Sequence, residues 1–313
     1  MIKEEFYFDS RDGENRIHAV RYTPDDGNVR GIVQIVHGMA EYVERYENLA
    51  EFLTKRGILV TGEDHLGHGK SVSEGGSFGY FCEQDPATVV VRDVHRLKKI
   101  TEEQYPQVPY IILGHSMGSF IARNYLCRYG SGIDGAVIVG TGMQSSGLIF
   151  ASKAMAGIQK LFCGSKHVSH FIDKAAFGGY NKRIDSPRTS SDWLSRNTDN
   201  VDRYIADELC GFTFTVNGFQ TLFELIRRLQ KQENLEKVPQ NLPILMVSGA
   251  EDPVGDYGKG VHKACNSLKR AGVKNITVKL YENDRHELLN EDDAETAMED
   301  IWQWICKEVP GIA

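Results

Sequence analysis

Three residues far apart in the chain, Ser116, Asp252 and His286, have the types and settings that nucleophilic attack on an acyl carbon requires. Ser116 lies in Gly114-His115-Ser116-Met117-Gly118, directly after the apolar run Ile111-Ile112-Leu113 and before Phe120 to Leu126, which reads as a helix. A serine at so sharp a strand-to-helix turn has its Oγ forced outward, and the helix N-terminus aims free N–H groups at developing negative charge. Flanking glycines let the backbone fold that tightly. The same spacing recurs at Gly75-Gly76-Ser77-Phe78-Gly79, but no apolar strand precedes it, so that copy reads as a loop. The competing reading of Ser116 is a packed helix cap.

A serine hydroxyl needs a base to take its proton, and the base needs an acid to fix its tautomer and stabilise the imidazolium. Leu242 to Ser248 reads as a strand leading into Gly249-Ala250-Glu251-Asp252-Pro253, which puts Asp252 on the loop at its C-terminal end. Ile276 to Tyr281, the next strand, leads into Glu282-Asn283-Asp284-Arg285-His286-Glu287 and sets His286 in the equivalent place. Glu251 and Asp256 compete for the acid role, but Pro253 biases Asp252 to an extended backbone at the loop's start. Asp284 reads as a solvated loop residue. Stabilising an oxyanion calls for one N–H from the residue after the nucleophile, Met117, and one from the loop after an early strand. Val33-Gln34-Ile35-Val36 ends in His37-Gly38-Met39-Ala40, so Met39 is the second donor.

The elements that must position these groups are legible as alternating patterns. Strand-like runs fall at 4–8, 16–22, 31–37, 58–62, 110–113, 135–139, 244–248 and 276–281, with helical patterns between most of the later ones. The first two alternate and are joined at Asp12-Gly13, a hairpin signature, whereas the later ones are near-continuously apolar, as buried parallel strands are. This predicts an α/β fold: a mostly parallel, doubly wound sheet with antiparallel N-terminal strands. The alternation stops between residues 142 and 238, which contain helices and no buried strand. The expected organisation is a core of residues 1–142 and 239–313 carrying a helical cap of residues 143–238. The cap's first helix, Leu148 to Phe162, places Leu148, Ala151, Met155, Ile158 and Phe162 at helical spacing; this face either packs on the core or meets lipid and acyl chains. The run is too short and too often charged to span a bilayer.

Composition removes several classes of function. The 313 residues carry 36 Lys and Arg against 43 Asp and Glu, a formal charge of −7, so no electrostatic footprint for nucleic acid exists. The first residues lack the basic and apolar regions of a secretory leader, which predicts a cytoplasmic protein. Six cysteines without a C-x-x-C pair read as free thiols. His65 and His68, three apart among glycines, and the pair His167 and His170 lack the further ligands a metal site needs. Neither a phosphate-binding loop nor a dinucleotide fingerprint is present, so no cofactor and no metal are expected.

Taken together and in order, HGMAEYVERYENLA from His37, EDHLGHGKS from Glu63, LGHSMGS from Leu113, SGAEDPV from Ser248 and DRHELL from Asp284 resemble the monoacylglycerol lipase and lysophospholipase group of the α/β-hydrolase fold. The resemblance runs from about Arg16 to the last helix. It implies Ser116, Asp252 and His286 as a catalytic triad, Met39 and Met117 as oxyanion donors, and a helical cap over an acyl tunnel. It also points to Glu41, Arg45 and Tyr204 at the polar end, where such enzymes hold the alcohol part of the ester; a helical i,i+4 pair is the alternative for Glu41 and Arg45. Ala40, Tyr42, Ser119 and Leu289 depart from the commonest pattern and bear on the alcohol side. The function implied is a cofactor-free serine hydrolase cleaving a monoacylglycerol or similar single-chain lipid ester, with transient contact between cap and membrane surface. A broad carboxylesterase, a proline-releasing peptidase and a non-enzymatic scaffold are the rivals. Oligomeric state is not readable.

Overall fold

In the computed structural model, which describes residues 1–312, every strand-like run joins one sheet. The strands are β1 (Ile2–Asp9), β2 (Arg16–Thr23), β3 (Gly31–Val36), β4 (Ile58–Glu63), β5 (Tyr110–His115), β6 (Gly135–Val139), β7 (Ile244–Gly249) and β8 (Ile276–Tyr281). Their spatial order is β1-β2-β4-β3-β5-β6-β7-β8. The β1–β2 hairpin and the β2–β4 pair are antiparallel, and every pair from β4 to β8 is parallel.

The helices are α1 (Glu47–Thr54), α2 (Pro86–Gln104), α3 (Met117–Tyr129), α4 (Ser146–Cys163), α5 (His170–Phe177), α6 (Thr198–Ala206), α7 (Val216–Leu229), α8 (Gln232–Leu235), α9 (Lys259–Arg270) and α10 (Ala294–Glu308). Successive strand residues point to opposite faces, and both faces are covered. Ile32, Ile112, Ile138 and Met246 join α2, α3 and α9 in one core, while Val33, Leu113, Val139 and Val247 join α1 and α10 in the other. That double burial is why the central strands are continuously apolar.

Between β6 and β7 the chain forms α4 to α8, and its only β pairing is a single bridge from Val168 to Thr215. Of the two placements left open for the apolar face of α4, the structure shows the outward one for most of it. Ile149 and Ala156 are buried, whereas Leu148, Phe150, Ile158, Leu161 and Phe162 are exposed, the last two at 81%. The helix is apolar nearly all round, so spacing alone cannot tell which side packs. A bond from Lys153 to Glu224 on α7 turns the polar stripe inward and the larger apolar side out.

The middle of α2 is held to the β1–β2 turn by one buried carboxylate. Asp93 accepts from Ser10 Oγ at 2.8 Å and from Arg11 N at 2.6 Å. Burial pushes its pKa up to about 7, against two hydrogen bonds that favour the charged form. Because the folded state holds this proton and the unfolded state releases it near the ordinary value of 3.8, stability falls as pH rises toward about 7. Asp93→Asn is therefore expected to raise the melting temperature by about 3 °C in mildly alkaline buffer and to change it little in acid, as measured by thermal scans at both ends of that range.

Candidate active site

Ser116 stands between β5 and α3 with φ +55° and ψ −122°, a backbone conformation that L-residues rarely hold and that surrounding contacts must enforce. Its N–H donates to Val139 O on β6 at 3.0 Å. Glycine is required on both sides by close approach. A Cβ on Gly114 would lie 2.4 Å from Gly118 O, and one on Gly118 would lie 1.9 Å from Val36 O at the end of β3. The turn therefore closes only without side chains there, and closure is what projects Oγ.

The structure brings the three sequence-predicted residues together. His286 Nε2 lies 2.7 Å from Ser116 Oγ, and its Nδ1 lies 3.0 Å from Asp252 Oδ1, although the latter contact is off the ring's N–H direction. Such contacts commonly tighten only when substrate binds. Asp252 is fully buried and accepts from Ser248 Oγ at 3.1 Å and Val254 N at 2.8 Å, which hold its carboxylate toward the ring. Glu251 and Asp256 are exposed. Asp284 corrects the sequence reading: far from solvated, it is 2% exposed and accepts from Arg196 Nη2 at 2.6 Å, and burial lifts its pKa to about 6. Arg196 belongs to the segment between β6 and β7, which sequence spacing could not bring near.

The loop after β3 comes up against the partly buried Ser116, a Cβ on Gly38 lying 3.0 Å from Ser116 Cβ, and Met39 follows Gly38 in that loop. The N–H groups of Met39 and Met117 donate to no other backbone or side-chain group among the described residues. The loop is held from below by neutral histidines. His37 Nε2 accepts from His65 N at 3.0 Å, so the proton sits on Nδ1, which donates to Gly38 O at 2.8 Å. Burial drives the pKa of His37 well down, that of His65 to about 3 and that of His68 to about 4. His65 stacks on His37 with centroids 4.0 Å apart, and His68 packs against Phe81, Phe212 and Phe214. Among the described residues no cluster of three metal-ligating side chains is arranged to hold an ion. All six cysteines are unpaired.

Glu41, Arg45 and Tyr204 also meet, but within a larger buried cluster. Glu41 Oε1 accepts from Gly38 N at 2.5 Å and Tyr46 Oη at 2.8 Å, and lies 3.2 Å from His115 Nδ1. Arg45 sits in a 3₁₀ turn rather than an α-helix; it reaches Glu41 Oε2 at 3.4 Å and is gripped by both oxygens of Glu287 at 2.8 Å. Its guanidinium carbon lies 4.9 Å from the Tyr204 ring centroid, and Asn200 of α6 donates to Glu287 at 2.7 Å. His115 Nε2 closes the cluster onto His286 O at 3.2 Å.

Sequence reasoning missed Glu287, His115, Asn200 and Gly140. Glu287 and His115 adjoin predicted residues, and nothing in their spacing marks them. Gly140 has φ +58°, and a Cβ there would lie 3.2 Å from His286 Cε1 and Nδ1, so a side chain at this position would strain the backbone and press on the imidazole. Trp193 was likewise unforeseen: its ring lies 5.1 Å from that of His286, and a cleft lined by Tyr180, Arg183, Trp193 and Arg285 opens beside it.

The family described as "Serine aminopeptidase, S33" matches residues 27–293. The monoglyceride lipase of Rattus norvegicus is 28% identical over 293 residues, covering 92% of this chain and 86% of its own. The monoacylglycerol lipase of Mycolicibacterium smegmatis is 27% identical over 287 residues, covering 91% and 90%. A thermostable carboxyl esterase from Bacillus coagulans, solved in complex with glycerol, superposes with a TM-score of 0.91 at 31% identity over 100% of both chains.

The charge cluster makes a pH-dependent contribution to stability. Burial alone would raise the pKa of Glu287, but the charge and hydrogen bonds of Arg45, with Asn200, bring it down to about 2. Its stabilisation is present above the ordinary value of 4.5 and is lost as pH falls toward about 2. For His115 burial opposes protonation, yet the hydrogen bond and charge of Glu41 raise its pKa, so that contribution is full below 6.5 and is lost as pH rises through the raised value. Glu287→Gln should cost about 3 kcal/mol in urea titrations near neutral pH, and the difference from the native chain should shrink as the buffer is taken below the ordinary carboxylate range.

Proposed function

This chain belongs to the serine aminopeptidase family of hydrolases, and on that premise we propose that Ser116, His286 and Asp252 act as a catalytic triad cleaving single-chain lipid esters such as monoacylglycerols. The fold is the α/β-hydrolase fold, and the chemistry is serine hydrolysis of carboxylic esters. One observation carries the reading: the 2.7 Å contact between Ser116 Oγ and His286 Nε2, set beside two undirected N–H groups at Met39 and Met117.

In the first half-reaction Ser116 Oγ bonds to the ester carbonyl carbon while His286 Nε2 takes the hydroxyl proton. The carbonyl oxygen becomes an oxyanion held by Met39 N–H and Met117 N–H. Collapse breaks the bond to the alcohol oxygen, to which His286 returns the proton, and leaves an acyl-serine. Water then repeats the sequence and frees the acid. Asp252 keeps the imidazole in the tautomer that accepts at Nε2.

Residues 143–238 serve in this reading as the cap over the acyl chain, with Glu41, Arg45 and Tyr204 at the alcohol end. Because Glu287 occupies both arms of the Arg45 fork, the guanidinium is not free to grip an anionic group, which favours a neutral glyceryl head over the phosphate of a lysophospholipid. The outward face of α4 supports contact with a lipid surface: Phe150, Leu161 and Phe162 are each at least 77% exposed. No helix among the described residues is long and apolar enough to cross a membrane. Six unpaired thiols suit a reducing compartment, in keeping with a cytoplasmic protein.

Ser116→Ala is expected to abolish fluorophosphonate labelling and to cut turnover of monoolein by about a thousandfold or more. Native protein should hydrolyse monoolein and p-nitrophenyl laurate faster than lysophosphatidylcholine or an aminoacyl-naphthylamide. Peptide cleavage outpacing ester cleavage would overturn the assignment. A second expectation concerns the cap: Leu161→Ser with Phe162→Ser should weaken co-sedimentation with phospholipid vesicles about tenfold while leaving p-nitrophenyl acetate turnover unchanged.

A further inference from the structure

Arg123 lies two turns into α3 from Ser116, is 1% exposed, and has no carboxylate within ion-pair distance among the described residues. A buried guanidinium without a counter-charge is costly, so its remaining contacts have to explain its presence. Nη1 donates to Thr141 Oγ1 at 3.3 Å and to Gly142 O at 3.0 Å, Nη2 reaches Met143 Sδ at 3.9 Å, and Nε has no partner. Burial pulls its pKa down to about 10, which leaves it charged at neutral pH. Three consecutive residues thus hang from one side chain.

The strip they belong to touches every part of the proposed triad. Ser119 Oγ lies 2.8 Å from Thr141 Oγ1 and 2.5 Å from Ser116 O, so the strip is tied to the first turn after the nucleophile. Gly140, immediately before Thr141, is the glycine against which the His286 imidazole rests. A Cβ on Gly142 would lie 2.4 Å from Val254 O, and one on Gly255 would lie 3.2 Å from Thr141 O; Val254 N in turn donates to Asp252. Residues 140–143 therefore form the spacer between the helix of the nucleophile, the ring of the base and the loop of the acid.

We infer that Arg123 is a positioning residue of the hydrolytic site: from beneath Thr141, Gly142 and Met143 it holds this spacer in register, and it places an unneutralised positive charge behind the reacting groups. The inference rests on the triad reading above. Since Thr141 follows Gly140 directly, the guanidinium is on the order of 10 Å from the imidazole. At that range in a low-dielectric interior it opposes formation of a second cation and favours the oxyanion. The groups facing the imidazole are Asp252 from the acid loop and His115 from β5, with Glu41 and Glu287 behind His115. Of the titratable groups, Cys127 on the same helix is the one that faces Arg123.

The test measures kcat and KM for p-nitrophenyl butyrate across the acid and neutral range for Arg123→Met, Arg123→Lys and Thr141→Val, with circular dichroism to confirm folding. Arg123→Met should lower kcat about tenfold with KM held, and should move the acid limb of kcat/KM to higher pH by about half a unit to one unit. Arg123→Lys, which keeps the charge, should retain the native acid limb and recover part of kcat. Thr141→Val, which cuts the tie but leaves the charge, should lower kcat without moving the limb. A native kcat and limb in Arg123→Met, or matching profiles for the Met and Lys variants, would overturn the inference. If Arg123→Met does not fold, a displaced limb in Arg123→Lys or a native kcat in Thr141→Val does the same. An active Ser116→Ala variant would instead bring down the triad reading itself, so the two failures are separable.

Discussion

The site depends on how closely α3 approaches the end of β3. With a Cβ position 1.9 Å from Val36 O, Gly118 packs its backbone against the carbonyl of the neighbouring strand. This contact has two effects. It sets Ser116 in a conformation the residue would not choose, and it brings the start of α3 alongside the loop that carries Met39. Ser116 and the N–H groups of Met39 and Met117 therefore share one tight backbone junction, and no flexible side chain sets their separation.

Around that junction the molecule relies on buried charge more than a hydrolase reaction demands. Glu41, His115, Arg45 and Glu287 form a chain from the amide of Gly38 to the carbonyl of His286, two backbone groups belonging to different loops. Each ionised member has an opposite charge in contact, so the cluster is tolerable only as a whole. Arg123 is the exception, held by neutral acceptors alone.

Much of this was legible in the sequence, and the reasons for the failures are specific. The eight strands could be read because central parallel strands buried on both faces leave continuous apolar runs, and Asp252 and His286 could be found because their loops follow those strands. The strand-and-glycine setting separated Ser116 from the same spacing at Ser77. What could not be read were interactions crossing from residues 143–238 to the sheet. Asp284 looked solvated because its partner Arg196 lies across a long stretch of chain, and the same distance hid Asn200 and Trp193. The orientation of α4 stayed open in the sequence because a helix apolar on nearly every side has no pattern to orient it.

The loop bearing His286 leans on the segment above it. Glu287 N donates to Leu194 O at 2.7 Å, Arg285 Nη1 reaches Asp192 O at 2.7 Å and Ser195 O at 3.1 Å, and Gly211 N donates to Ala40 O at 2.9 Å beside Met39. This roof is part of the machinery's scaffolding and not a detachable accessory. A trimmed variant lacking it would lose the main-chain partners of Arg285 and Glu287 on either side of His286, and a chimera carrying a foreign roof would hold that loop only if the graft reproduced those main-chain acceptors. Specificity and rate in this molecule are thus inherited together.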